Sequence, residues 1–192
     1  MSKDDLCGSL VRLVRYDKEK HAALLSSWSR DSEYDRLLGE EPATVYTPRR
    51  VEEWVEKESP PFFFIIQTRS GDQPIGLIEL EGVDWTSGDA WLGIGLGERL
   101  VWSKGYGSDA LDIMLRYAFE QLGLRRVSLT VFEYNPRAIH TYEKGGFQHE
   151  GRLRQWLNRD GRRWDMLVMG ILRSEWEAKH PPAELEKKST EK

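Results

Sequence analysis

The 192-residue chain sets 28 Lys and Arg against 32 Asp and Glu, for a net charge of −4, and is 39 % hydrophobic. This is enough apolar material for one sizeable core, and the charge balance excludes any general attraction to nucleic acid or an anionic membrane, leaving room only for local basic patches. Cys7 is the single cysteine, which excludes an intrachain disulfide and a Cys-based zinc site. No apolar run approaches the length of a membrane span, and the opening MSKDDLCGSL lacks the basic-then-apolar layout of a signal peptide. The expectation is a cytoplasmic protein with neither a membrane nor a direct nucleic-acid partner.

Along the chain, residues 1–8 read as a flexible lead, residues 9–178 as a single domain, and residues 179–192 as a solvated charged tail. Ser9–Tyr16 alternates as a strand, and His21–Ser29 and Asp31–Leu38 read as short helices. Thr47-Pro48 opens a third helix, with Thr as cap and Pro in the first turn, and Pro60-Pro61 ends it. PFFFIIQTRS and PIGLIELEGV are strands separated by a polar turn, and Leu92–Gly97 (LGIGLG) is a strand in which glycine alternates with apolar residues. From Asp109 to Leu122 the apolar residues fall at three- and four-residue spacing, which predicts a helix ended by Gly123. RRVSLTVF is a further strand, Asn135-Pro136 opens a helix that Gly145-Gly146 closes, and Phe147–Leu157 with Trp164–Leu172 forms a closing hairpin. The order predicts an α/β (α+β) fold with helices on both faces of a mixed sheet.

The segment WSKGYGSDAL places two glycines at the mouth of a helix, where unpaired N–H groups and the helix dipole make a seat for phosphate. Read as G-x-G-x-x-A it is a weak dinucleotide turn, because the acid wanted about twenty residues on arrives late, at Glu133. No Walker loop and no G-x-S-x-G elbow is present. A second reading uses several segments in order: LGIGLGE, WSKGYGSDAL, VSLTVF, NPRAIHTYEKGGF and EGRLRQWLNRDGRRWDMLVMGIL. Together, over Gly76 to Trp176, they resemble the GNAT N-acetyltransferase family, and within it the branch of ribosomal-protein N-terminal acetyltransferases.

The resemblance implies a mostly antiparallel sheet of about seven strands, splayed between its fourth and fifth strands, with acetyl-CoA in the gap and no metal. The backbone of Trp102, Ser103, Lys104, Gly105, Tyr106, Gly107 and Ser108 would cradle the diphosphate, with Trp102 where the family usually carries Arg or Gln. The pantetheine arm would pair with exposed backbone at Leu96 and Gly97, the alternating glycines clearing room for it. Asn135 and Arg137 would contact the cofactor, although Asn135 also reads as a plain helix cap. Tyr142 would protonate the leaving thiolate as general acid; its face is shared with Ala138 and Ile139, so ordinary core packing stays open.

A base must take a proton from the acceptor ammonium, and Glu79 or Glu81 are the candidates, because the position where some relatives carry glutamate is Trp91 here. Glu33, Asp35 and Trp91 are expected on the acceptor side. The hairpin arginines, Arg159 among them, would meet an anionic substrate or the nucleotide 3′-phosphate. The expected activity is direct acetyl transfer to a primary amine, on a protein N-terminus or a small molecule. A non-catalytic acyl-CoA sensor and an NAD(P)-binding protein are the alternatives, and a homodimer is left open.

Overall fold

In a computed structural model, described for residues 6–58 and 60–181, seven strands form one sheet in the order β1-β2-β3-β4-β5-β7-β6. The strands are β1 (Val11–Arg15), β2 (Phe62–Thr68), β3 (Pro74–Asp84), β4 (Asp89–Leu96), β5 (Arg126–Phe132), β6 (Gln148–Arg159) and β7 (Arg162–Leu172). The helices are α1 (Lys18–Trp28), α2 (Ser32–Leu38), α3 (Pro48–Glu58), α4 (Tyr106–Arg116), α5 (Pro136–Gly145) and α6 (Arg173–Lys179). Most neighbours are antiparallel; β4 and β5 alone run parallel, and they pair only at Asp89–Arg126, Ala90–Val127 and Trp91–Ser128. Beyond Trp91 the two strands part, so the sheet is closed at one end and open at the other.

The predicted caps are in place. Thr47 Oγ1 accepts from the Arg50 amide, and Asn135 Oδ1 accepts from the Ala138 amide with Pro136 in the first turn. The α4 pattern runs on through a π turn, Tyr117–Gln121, to Gly123, whose φ of 69° stops it. α6 was not anticipated. Its Trp176 is buried against Phe119 (5.6 Å), so the chain after β7 still contributes to the core. The expected tail lies outside the described residues from 182 onward.

The lead is more ordered than its composition suggested. Leu6 O accepts from the Leu13 amide, Arg116 of α4 donates to Cys7 O and the Gly8 amide donates to Val11 O, after which the Asp109 carboxylate accepts from the amides of Ser9, Leu10 and Val11 and from Ser9 Oγ. These donors hold the Asp109 carboxyl below its ordinary range against the opposing effect of burial. The carboxylate thus ties the first turn of α4 to the chain leading into β1.

Two cores flank the sheet. One joins α4, α5 and α6 to Ile78, Leu80, Leu92 and Leu129, and the other joins α1–α3 to Phe63, Ile65 and Leu77. The glycines of β4 and its continuation all face the second. A Cβ on Gly95 would lie 2.8 Å from Leu38 and 3.1 Å from the Tyr34 hydroxyl, and one on Gly97 would lie 2.0 Å from the Trp28 ring. Trp28 is buried, donates its indole N–H to Glu98 Oε1 (2.9 Å) and meets Tyr34 edge-on. These glycines therefore let α1 and α2 sit directly on bare strand, which corrects the expectation that they clear space for the cofactor. Gly97→Ala is expected to cost about 1–3 kcal/mol through overpacking, a fall in Tm of roughly 3–10 °C by calorimetry. An unchanged Tm would show that Trp28 can move freely.

Candidate active site

A cavity of about 670 Å³ occupies the opening between β4 and β5. Its walls come from both faces of the sheet: Tyr34, Glu79 and Gly93 from the side of α1–α3, Leu96, Ala138 and Tyr142 from the side of α4 and α5. The gap is therefore a passage through the sheet, reached from two directions.

On the α1–α3 side, β3 sends Leu77, Glu79 and Glu81 to one face, as strand alternation requires. Glu79 pairs across the ladder with Gly93, and a Cβ at Gly93 would lie 2.9 Å from Glu79 Oε1. The glycine thus lets a carboxylate rooted on β3 lie across β4 toward the opening. Glu79 Oε2 is buried without a hydrogen-bond partner, which is costly for a charged oxygen. Burial, reinforced by the charge of Glu81, pushes the Glu79 carboxyl up to about 7. Glu81 and Glu40 also line this end of the cavity, and both are exposed.

On the other side, the turn before α4 carries Ser103 at φ 59° and Gly105 at φ 88°. The amides of Tyr106, Gly107 and Ser108 open the helix, where no intrahelical acceptor is available, and Ser103, Gly105, Gly107 and Ser108 all line the cavity. Lys104 and Tyr106 lie outside the lining. Trp102 donates its indole N–H to Leu96 O (2.7 Å), and the Arg137 guanidinium stacks on its ring at 3.9 Å. A guanidinium from α5 therefore lies over the tryptophan at the start of this turn. Lys144 and His140 line the same region.

The Gly97 amide donates to Ile75 O (2.9 Å), so by alternation the N–H and C=O of Leu96 point away from β3, into the opening. Leu96 turns its backbone groups to the opening, its carbonyl taken by Trp102, whereas the Gly97 amide is bound to β3, which corrects half of that expectation. Asn135 serves as the cap of α5 and also lines the cavity. Tyr142 is 7 % exposed and packs near Phe147, and burial raises its hydroxyl further above the ordinary tyrosine range.

The three acceptor residues expected from sequence are not brought together. Glu33 pairs with Arg99 (2.6 Å), Asp35 Oδ2 caps the Thr44 amide (3.0 Å), and Trp91 sits at the closed end of the β4–β5 pair, opposite Glu81 on its other side. The first two are used up in holding the turns around α2, and the third lies where the sheet has not yet opened. Tyr34, Leu38, Glu40 and Trp54 take their place in the wall. No cluster of His, Cys, Asp and Glu among the described residues has the makings of a metal site, and no described helix is long and apolar enough to cross a membrane.

A family model described as an acetyltransferase (GNAT) domain matches residues 11–148. The chain belongs to the GNAT acetyltransferase family. The SPbeta prophage-derived N-acetyltransferase YokL of Bacillus subtilis is 31 % identical over 130 residues, 68 % of this chain and 71 % of that protein. The spermidine N(1)-acetyltransferase of Vibrio cholerae is 33 % identical over 102 residues, 53 % of this chain and 58 % of the relative. A crystal structure of spermidine N-acetyltransferase from Vibrio cholerae in complex with CoA and spermine superposes with a TM-score of 0.77 at 25 % identity, covering 86 % of this chain and 97 % of that one. The protein is an N-acetyltransferase with the GNAT fold, and its parted sheet is the one the sequence resemblance implied.

Proposed function

We propose that this acetyltransferase moves an acetyl group from acetyl-CoA directly to a primary amine of a small, cationic molecule. The observation that carries the reading is the division of charge along one passage: carboxylates Glu40, Glu79 and Glu81 at one mouth, and a helix N-terminus with Arg137 and Lys144 at the other. An anionic cofactor and a cationic acceptor would each be drawn to its own side.

The cofactor fits the second mouth. The amides that open α4 and the Arg137 side chain would hold the diphosphate, and the Leu96 edge would take the extended arm as an added strand. Trp102 would have to release Leu96 O to complete that pairing. Acetyl-CoA supplies the activated acyl group, and the remaining chemistry belongs to the chain. Glu79, poised near neutrality, takes a proton from the acceptor ammonium and frees its lone pair. Glu81 and Glu40 draw the cation toward that point, and Tyr142 returns a proton to the departing sulfur from the opposite face. A phenol made less acidic by burial still holds its proton at neutral pH, and a thiolate in the same apolar surroundings is made correspondingly more basic.

Small amines are favoured over protein N-termini because the acidic mouth is bounded by the turn after α2, and because relatives named as spermidine acetyltransferases share the fold. Thiol release from acetyl-CoA, measured with spermidine, an amino sugar and an alanine-initiated peptide, tests this. Spermidine is expected to give the highest kcat/KM. Preference for the peptide would move the protein toward the ribosomal-protein N-terminal branch, and tight acetyl-CoA binding without thiol release would make it a sensor.

A further inference from the structure

An opening between parallel strands has no ladder to fix its width, so something else must set the distance between the two half-sheets. Arg159, half-buried at the end of β6, reaches across the acceptor mouth. Its guanidinium donates to the carbonyl oxygens of Arg36 (2.6 Å), Gly39 (3.2 Å), Glu40 (3.3 Å) and Glu41 (3.1 Å) and to the Tyr134 hydroxyl (2.6 Å). Tyr134 in turn donates to Arg36 O (2.8 Å), and Arg36 pairs with Asp160 beside it. The expected meeting of Arg159 with an anionic substrate or a 3′-phosphate is thus corrected: its hydrogen bonds go to four backbone carbonyls and a phenol.

One part of the reason lies at the end of α2, to which only the Arg36 carbonyl belongs; the Gly39, Glu40 and Glu41 carbonyls belong to the turn that follows it. The last carbonyls of a helix lack intrahelical donors and carry partial negative charge, and a cation there is stabilising. Arginine alone has a rigid fork of five N–H donors able to meet several such oxygens at once. The acceptors are backbone oxygens and a phenol rather than a carboxylate, so the bonds specify the shape of the 36–41 turn more than they balance a charge. That turn belongs to one half of the sheet, since Tyr34 and Leu38 of α2 rest on Gly95 of β4. β6 and Tyr134 belong to the other half. Tyr134 stacks on Phe132 (5.1 Å, 8°), and Phe132, Leu38, Gly39 and Glu40 all line the cavity.

We propose that Arg159 is a positioning residue that straps the two half-sheets together at the acceptor mouth, and so sets the width of that mouth and how tightly an amine is bound in it. This rests on the reading that the acceptor enters from that side. The strap itself is tested without any substrate, by hydrogen exchange on the full chain. Arg159→Ala is expected to speed exchange at least tenfold across residues 36–46, while the β3–β4 ladder stays unchanged. Arg159→Lys keeps the charge but loses the fork and is expected to restore little of the protection; it also serves if the alanine variant folds poorly.

In turnover with spermidine, Arg159→Ala is expected to raise the KM for spermidine about tenfold, with the KM for acetyl-CoA and kcat within twofold of wild type. Unchanged exchange overturns the proposal. So does faster exchange with an unchanged spermidine KM, or a KM for acetyl-CoA that rises equally, since a general loosening would do that. If wild type acetylates no amine, the reading of function fails, and the exchange result still decides the strap.

Discussion

Replacing Glu79 with glutamine is expected to lower kcat/KM for the amine by about 100-fold at pH 8, the lower end of what a positioned general base contributes. Glutamine keeps the length of the side chain and its place over Gly93 while removing its ability to accept a proton. The pH profile separates a base from a merely attractive charge. With the Glu79 carboxyl pushed up to about 7, the wild-type advantage over Glu79→Gln should be full above pH 8 and shrink about tenfold per unit below pH 6, as the carboxyl protonates. A ratio that stays constant from pH 6 to 9 would remove Glu79 from the role and turn attention to Glu81.

The same carboxyl makes a stability prediction of opposite sign. Its folded value lies above the ordinary glutamate value of 4.5, because the fold buries it beside Glu81. Folding therefore favours the protonated form, and this stabilisation is complete below about pH 4.5 and lost as pH rises through 7. Glu79→Gln should raise the Tm at pH 8, by an amount worth up to about 3 kcal/mol, with the gain vanishing near pH 4.5. A variant that is less active yet more stable at alkaline pH is the signature of strain kept for chemistry.

Tyr142→Phe is the second large effect. The phenyl ring retains the packing against Phe147 and the surrounding core, so acetyl-CoA affinity should stay within about twofold and Tm within a few degrees. Single-turnover acetyl transfer should fall by about 100-fold, because the leaving sulfur loses its proton donor. If the rate is unchanged, Tyr142 is core and the thiolate leaves unprotonated or through water.

Much of the fold was legible because its signals are local. Thr47-Pro48 and Asn135-Pro136 are caps whose chemistry is complete within four residues, and the α4 stripe from Leu111 to Leu122 is a periodicity that needs no partner. Of the residues expected at the site, Glu79, Leu96, Asn135 and Tyr142 line the cavity together with the glycines of the turn before α4. Its acceptor half depends on register between strands, which no short window contains. Glu79 differs from Glu81 because Gly93 lies opposite it, and the alternating glycines read as space for a cofactor until Trp28, Tyr34 and Leu38 are seen resting on them. Glu33 and Asp35 were plausible acids by sign and position, but folding spends one on Arg99 and the other on the Thr44 amide. Arg159 reads from sequence only as a cation available to an anion, because four of the oxygens it binds are backbone carbonyls more than a hundred residues earlier.

The central claim is that one passage through the parted sheet brings the acyl donor and the amine together between Glu79 and Tyr142. A crystal structure of the protein with CoA and spermidine tests it most directly. The CoA sulfur is expected between β4 and β5 within reach of the Tyr142 hydroxyl, the diphosphate on the amides that open α4, and a spermidine nitrogen at hydrogen-bond distance from Glu79. CoA bound elsewhere, or a spermidine nitrogen approaching the sulfur from the α4–α5 side with Glu79 untouched, would contradict it.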